Sequence, residues 1–598
     1  MIRTKDHKTD RMFDSWWYLG PKRKKLLEKS WPGLFREYIL NSLPVEKVAN
    51  CFKDDFGRPT KELYCAIGVQ VLQQMQDLTD EETIRQLAFN TEWHYALDIT
   101  EDSDDAKYMS LRTLWSFRNK VMERGLDGEI FNSATDKLAK AFKVDTDKQR
   151  LDSVHIRSNM KRLGRISIFA RSIHGFLVNL RRHHRETFEA LPALYAEKYL
   201  SDKAPGCFSM VKPTESDKTL KELSVDLYEL AERFKGDDKI TSMTTYKLLK
   251  RVLNEQCIVK EVEDISLVGV AVKQAKQVPS DSLQNPSDPE ASYDGHKGQG
   301  YQVQIMETYS RAEEEGESKG LNLITYVEVE PAHESDAKAL MPAIESVVAR
   351  GLEPKEILAD SLYGSDDNIR AAKADGIEVI SPAMGQTKGE GLSISDFEKT
   401  DSGAVCKCPE GHIPLKTKIK RSKHIAHFDI NHCGGCPRLQ TCPVKKGKRY
   451  YSLLYDDKQL RLSARREYEN TDEFKDRYRY RSAVESTMSS YDRVTGVKRL
   501  RVRGLKAVRF CATLKALGIN ILRAAAFRAE KTGQRGAAAA ALFVVSRIAV
   551  AFCRSFSRDL CCILHMINHY AANNEYSLIW SLNYLRGRQV WLLLQCKL

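Results

Sequence analysis

The sequence predicts a mixed α/β core set between helical segments. Alternating strand-like runs cluster between residues 301 and 381. Runs with three- and four-residue apolar steps fill the stretches on either side. A short alternating run, LDSVHI, stands alone near residue 151. Strands followed by strand–helix–strand units point to a sheet with an antiparallel beginning and a parallel end. At 598 residues the chain has room for several cores, a soft prior of about three to four domains.

Residues 1–148 read as an all-α N-terminal domain. The segment 63–78 has the apolar steps of an amphipathic helix, and Thr79 with three acidic residues after it starts another. Ser110 caps a helix that ends near Gly125. LDSVHI is a strand bearing Asp152. Residues 161–289 read as a helical insertion ending in a linker, with the stretch 277–295 rich in Pro, Ser and Asp. Runs 301–308 and 323–330 alternate and form a hairpin with a long polar tip. A helix follows, then the strand EILAD, which carries Asp360 at its carboxyl end. Ser365 caps the next helix, Gly376 closes it, and IEVIS is the last strand. Residues 401–456 form a small Cys-rich insertion. Residues 457–530 read as long helices broken near Thr495-Gly496, and 531–598 is an apolar tail without an assigned role.

Composition excludes several classes. The opening residues lack an apolar core of signal-peptide length, so a cytoplasmic protein is expected. Fourteen cysteines are too dilute for a disulfide scaffold. No charge-free apolar run reaches about 20 residues, so no membrane partner is expected. The net charge is +13. Between Lys475 and Arg535 stand 16 Lys and Arg against four Asp and Glu, an excess of 12. Clustered cations of this kind displace counterions from a DNA backbone, and Arg493, Lys498, Arg499, Arg501, Arg503, Lys506 and Arg509 form the centre of the run.

Three carboxylates stand out by position: Asp152 in a strand, Asp360 at a strand end, and Glu485 on the helix RYRYRSAVESTMSSYDR. Ligand sites in open α/β sheets lie beyond the carboxyl ends of strands. Tyr478, Arg481, Glu485 and Asp492 share one stripe of that helix, and Arg481 is four residues from Glu485. Carboxylates brought together need a cation, and Mg²⁺ takes oxygen ligands from few of them. Cys406 and Cys408, then Cys433, Cys436 and Cys442, have the spacing of thiolate ligands. Cys408, Cys433, Cys436 and Cys442 are the set expected to hold a structural Zn²⁺, with five cysteines competing for four places. His155, His296 and His333 lie near the sheet but none is read as a general base.

In this order the motifs resemble a DDE transposase of a bacterial insertion sequence. LDSVHIRSN resembles its first motif, ILADSLYGS its second, and Tyr478, Arg481 and Glu485 its Y-x2-R-x3-E signature. Asp492 stands where that signature has Lys. The resemblance spans roughly residues 30 to 525. It implies a ribonuclease-H-like core made of 149–160, 290–400 and 457–530, preceded by a DNA-binding and dimerisation domain. It implies that Asp152, Asp360 and Glu485 are catalytic ligands of Mg²⁺ or Mn²⁺, with Tyr478 and Arg481 at the DNA end. The implied partners are double-stranded DNA, as terminal inverted repeats and target, and a second copy of the chain in a nucleoid-associated complex. A catalytically inactive DNA-binding descendant, or a host nuclease on the same core, are the alternatives.

Overall fold

The computed structural model describes residues 2–7, 9, 12–53, 58–201, 211–260, 269–310, 320–384, 391–420 and 423–531. The predicted tail after Lys531 lies outside them. The N-terminal helices form where caps and apolar steps place them. Helix α1 (Leu63–Met75) starts at Glu62, whose carboxylate accepts the backbone N–H groups of Tyr64 and Cys65. Helix α2 (Asp80–Phe89) opens with a capping box between Thr79 and Glu82. Helix α3 (Leu111–Glu123) is capped by Ser110, and α4 (Leu126–Phe142) follows directly. One expectation changes: α1 is not amphipathic but enclosed, with Gln70, Gln73 and Gln74 buried beside its apolar residues. A later helix covers the face that periodicity left to solvent.

The central sheet has strands β1 (Lys148–Arg157), β2 (Gly298–Thr308), β3 (Ile324–Pro331), β4 (Glu356–Ala359) and β5 (Glu378–Ile380). β1, β2 and β3 are antiparallel neighbours, while β4 runs parallel to β1 and β5 parallel to β4. The order β3-β2-β1-β4-β5 therefore matches the expected antiparallel start and parallel end. A short strand, Ser292–Asp294, pairs with the start of β2, so the segment read as a linker ends inside the sheet.

Helices α5 (Arg165–His183), α6 (Ser216–Arg233) and α7 (Thr244–Gln256) form the segment between β1 and β2. They enclose Phe169, Phe176, Leu180, Leu227 and Leu249. This segment is not wholly helical: Cys257–Lys260 and Gly269–Val272 pair as an antiparallel ladder. Helices α8 (Leu340–Val348) and α9 (Asp366–Ala374) join the parallel strands, and Ser365 caps α9 as expected by accepting from Asn368 N–H at 3.2 Å.

The helix predicted over 477–493 is divided. It runs as α11 (Asp472–Tyr478), a 3₁₀ turn (Arg479–Ser482) and α12 (Ala483–Thr495), after α10 (Asp457–Glu469). Arg150 Nη1 takes the Tyr480 carbonyl at 2.9 Å, and the chain tightens to three residues per turn there. Gly496 ends α12 in the left-handed region at φ 67°, so the break near Thr495-Gly496 falls where expected. Helix α13 (Leu505–Lys531) is long and apolar enough to cross a membrane, but 78% of its apolar window is buried within the protein. It is a core helix. Its Gly518 admits α1: a Cβ there would meet the backbone of Met75 at 2.8 Å.

Residues Met1–Ala525 form one compact unit.

Candidate active site and nucleic-acid surface

Strand register brings the first two carboxylates together. Leu151 pairs with Ala359 across β1 and β4, so Asp152 and Asp360 follow each other side by side at the carboxyl end of the parallel pair. The 3₁₀ turn then sets Arg481 over them. Its guanidinium lies 3.0 Å from Asp152 Oδ2, 3.7 Å from Asp360 Oδ2 and 3.9 Å from Glu485 Oε1. All three carboxylates that sequence singled out therefore meet at one cation.

Exposure rises across the set, from 17% at Asp152 through 43% at Asp360 to 73% at Glu485. Burial pushes the Asp152 carboxyl up, as do the charges of Asp360 and Asp336; Arg481 and the Ser153 N–H oppose this without cancelling it. Burial disfavours the Arg481 charge, but Asp152, Tyr478, Asp360 and Glu485 outweigh it and hold the guanidinium ionised. Tyr478 is half-buried against Phe474, rings 5.2 Å apart, and burial raises its phenol.

The third carboxylate is positioned by a buried network that sequence reasoning missed. Glu307 on β2 is fully buried and accepts from Arg150 at 2.6 and 2.7 Å, from Thr487 at 2.8 and 2.9 Å, and from Arg523 at 2.9 Å. Thr487 lies two residues after Glu485, so this network seats α12 on the sheet. A second missed group flanks Asp152. Lys297 Nζ donates to Ser153 Oγ at 3.2 Å and lies 3.4 Å from Asp336, which accepts from Gln304 at 2.8 Å. Tyr363, buried in the turn after Asp360, donates to Gln304 at 2.6 Å. The sequence signal for this group was the pair Gly298 and Gly300. A Cβ on Gly300 would meet the Ile156 carbonyl at 2.1 Å, and only glycine lets β2 approach β1 so closely.

Asp492, where the resembled signature has Lys, is hydrogen-bonded within its own turn. Its carboxylate accepts the Lys498 N–H at 3.2 Å and closes the turn after α12. Arg493, Lys498, Arg499, Arg503 and Lys506 are exposed. Arg501 and Arg509, read from sequence as DNA contacts, also have carboxylate partners: Arg501 forks onto Asp77 at 3.1 Å, and Arg509 reaches Asp127 at 3.1 Å. Both tie the C-terminal helices to the N-terminal ones.

In the Cys-rich insertion, Cys408, Cys433, Cys436 and Cys442 line one small cavity with His412, and Cys406 is not among its lining. Burial pushes the Cys433 thiol up to about 11, and the other three cysteines add to the shift. Among the described residues, no three His, Cys, Asp or Glu side chains are grouped so as to hold a metal ion. The donors nonetheless suit the implied ions. The active-site set is oxygen alone and already converges on a cation; the insertion offers sulfur around one cavity.

Two stretches of the chain match known families. Residues 407–525 match the family described as Transposase DDE domain, a span that includes Glu485. Residues 29–120 match the family Transposase domain (DUF772). Together the two matches support a DDE-type insertion-sequence transposase. No curated protein matches the chain.

Proposed function

We propose that the chain is a metal-dependent DNA transposase that cuts the ends of its element and joins them to target DNA. The observation that carries this is the meeting of Asp152, Asp360 and Glu485 at Arg481. The strands and helix that supply them follow the order of the resembled family, and the strand order β3-β2-β1-β4-β5 supports a ribonuclease-H-like core.

Asp152, Asp360 and Glu485 would hold Mg²⁺ or Mn²⁺, which supplies an activated water and neutralises charge on the phosphate. The protein's own groups position the reactants. Arg481 would hold the carboxylates together, and Tyr478, half-buried beside it, flanks them. Water attacks the phosphodiester at the element end and loses a proton to solvent, and the phosphorus bond to the 3′ oxygen breaks; that oxygen takes a proton from solvent, leaving a 3′-hydroxyl and a 5′-phosphate. That hydroxyl attacks a target phosphodiester and displaces the target's own 3′ oxygen. Such transfers depend mainly on positioning and charge neutralisation.

The exposed cations Arg493, Lys498, Arg499, Arg503 and Lys506 would follow the DNA backbone beside Glu485. The N-terminal helices would read the terminal repeats, with two copies of the chain pairing the two ends on nucleoid DNA. Cys408, Cys433, Cys436 and Cys442 would hold a structural Zn²⁺ in the insertion.

The test is strand cleavage of a labelled duplex carrying the DNA that flanks the gene, with Mg²⁺ present. Wild type cuts at one position; Asp360→Asn and Glu485→Gln do not. Equal cutting by either variant removes the triad from the reaction.

A further inference from the structure

The Cys-rich insertion contains a sheet whose outer face the reaction above does not use. Its strands run in the order Lys416–Lys420, Lys423–Asp429, Tyr450–Asp456, Lys445–Lys446, all antiparallel. One face covers a small core of Phe397, Val405, Ala426, Phe428, Leu453 and Tyr455. The pleat sends the alternate residues the other way. Residues directly opposite across a ladder share a face, so the register defines the outer surface. Lys416 lies opposite His427, Lys418 opposite Ile425, and Lys445 opposite Ser452. Lys423 stands two residues before Ile425 on the same face. All four lysines are exposed.

Two acidic residues border this face, and both carboxylates are turned to other work. Asp429 accepts the backbone N–H groups of Asn431 and His432. Asp456 accepts from Gln459 N–H at 2.8 Å and caps α10. Lys423 lies directly opposite Asp456 across the ladder, while Lys416, Lys418 and Lys445 have no acidic residue opposite them. His427 and Tyr450 lie among them, rings 5.3 Å apart, with one His427 nitrogen 2.9 Å from Ser452 Oγ.

The sheet is fixed to the active-site end of the core. Strand Tyr450–Asp456 runs straight into α10, and α10 is clamped beyond the strand ends. Arg461 forks onto Asp366 at 2.6 and 2.8 Å. Arg465 donates to the Gly364 carbonyl at 2.6 Å and the Ser381 carbonyl at 3.0 Å. Gly364 belongs to the turn that follows Asp360.

We propose that this lysine face of the insertion is a second binding surface for the phosphate backbone of duplex DNA, engaged together with the basic segment beside Glu485. Mounted on α10 and carrying four exposed lysines beside Ile425, Tyr450 and Leu454, this face fits a polyanion through its cationic part. Its place in the reaction rests on the transposase reading, but the binding does not.

The test uses the full chain without divalent metal, so that no cleavage is needed. Binding to a random-sequence duplex of about 40 base pairs is measured against salt for wild type and for Lys416→Gln/Lys418→Gln/Lys423→Gln/Lys445→Gln. Each lost phosphate contact flattens the log–log salt slope by about 0.9, so the slope falls by about 3–4 and the Kd rises at least about tenfold. Lys418→Glu alone, a single change on an exposed strand, weakens binding in the same direction and controls for misfolding. An unchanged slope and Kd in the quadruple variant overturns the proposal. So does a loss confined to an RNA duplex. If wild type binds DNA in this way yet never cuts it, the surface stands and the transposase reading falls.

Discussion

Replacing Glu307 by glutamine should loosen the protein and the active site together. The carboxylate is fully buried and serves two arginines and a threonine hydroxyl, with Arg150 itself only 7% exposed. Glutamine keeps the shape but removes the charge, leaving buried Arg150 uncompensated. Breaking a buried ion pair from one side costs about 3–5 kcal/mol. Unfolding a unit of the size of Met1–Ala525 carries an entropy of about 1.1 kcal/mol/K, so the melting temperature should fall by about 3–5 °C. Differential scanning calorimetry measures this directly. Arg150→Met/Glu307→Leu removes this pair and should recover part of the loss, with Arg523 and Thr487 still losing their acceptor. A Glu307→Gln protein melting within about 1 °C of wild type would refute the idea that this network seats α12.

Other expectations are more local. Gly518→Ala places a methyl against the Met75 backbone and should destabilise by about 1–3 kcal/mol, although alanine is the better helix former; urea denaturation reads it. His7 lies 3.0 Å from Asp98 and 3.9 Å from Glu62. Burial works against its charge, but the hydrogen bonds to Asp98 and Glu62 prevail and raise its pKa. A raised histidine stabilises fully below its unfolded value of about 6.5 and loses that contribution as pH rises through the folded value. Melting measured from about pH 5.5 to 8.5 should therefore decline over the upper part of the range, and His7→Gln should flatten the decline. If the insertion holds Zn²⁺, a strong chelator should release one zinc per chain and expose the insertion to protease, and Cys433→Ser should be cut without chelator.

Local chemistry was legible in the sequence wherever it acts alone. Ser365 and Ser110 cap the helices they precede, and Gly496 ends α12 because only glycine takes its left-handed turn cheaply. Alternation found the strands, and the position of Asp360 after β4 was visible as a strand end. What stayed hidden depends on partners far along the chain. Run 301–308 alternates as if one face met water, yet all of its residues are buried, with Gln302, Gln304 and Glu307 each hydrogen-bonded. The 3₁₀ turn before Glu485 depends on Arg150, more than three hundred residues earlier. The basic run looked uniform, but Arg501 and Arg509 differ from their neighbours only because Asp77 and Asp127 lie opposite them. Asp492, where the signature has Lys, accepts the Lys498 N–H, a donor that has no letter in a sequence.

Helix α13 sets the order in which the protein can be finished. Asn520 pairs with both backbone groups of Ile324 at 2.8 Å, closing the edge of the sheet, and Lys515 joins Asp77 to the Thr495 carbonyl at 2.8 and 2.6 Å. These contacts reach back across most of the chain. On the ribosome, the N-terminal helices and the sheet emerge long before the segment that completes them. A product that stops before residue 505 has every carboxylate of the triad but leaves α1 and β3 uncovered. Such a fragment would be a substrate for cellular proteases.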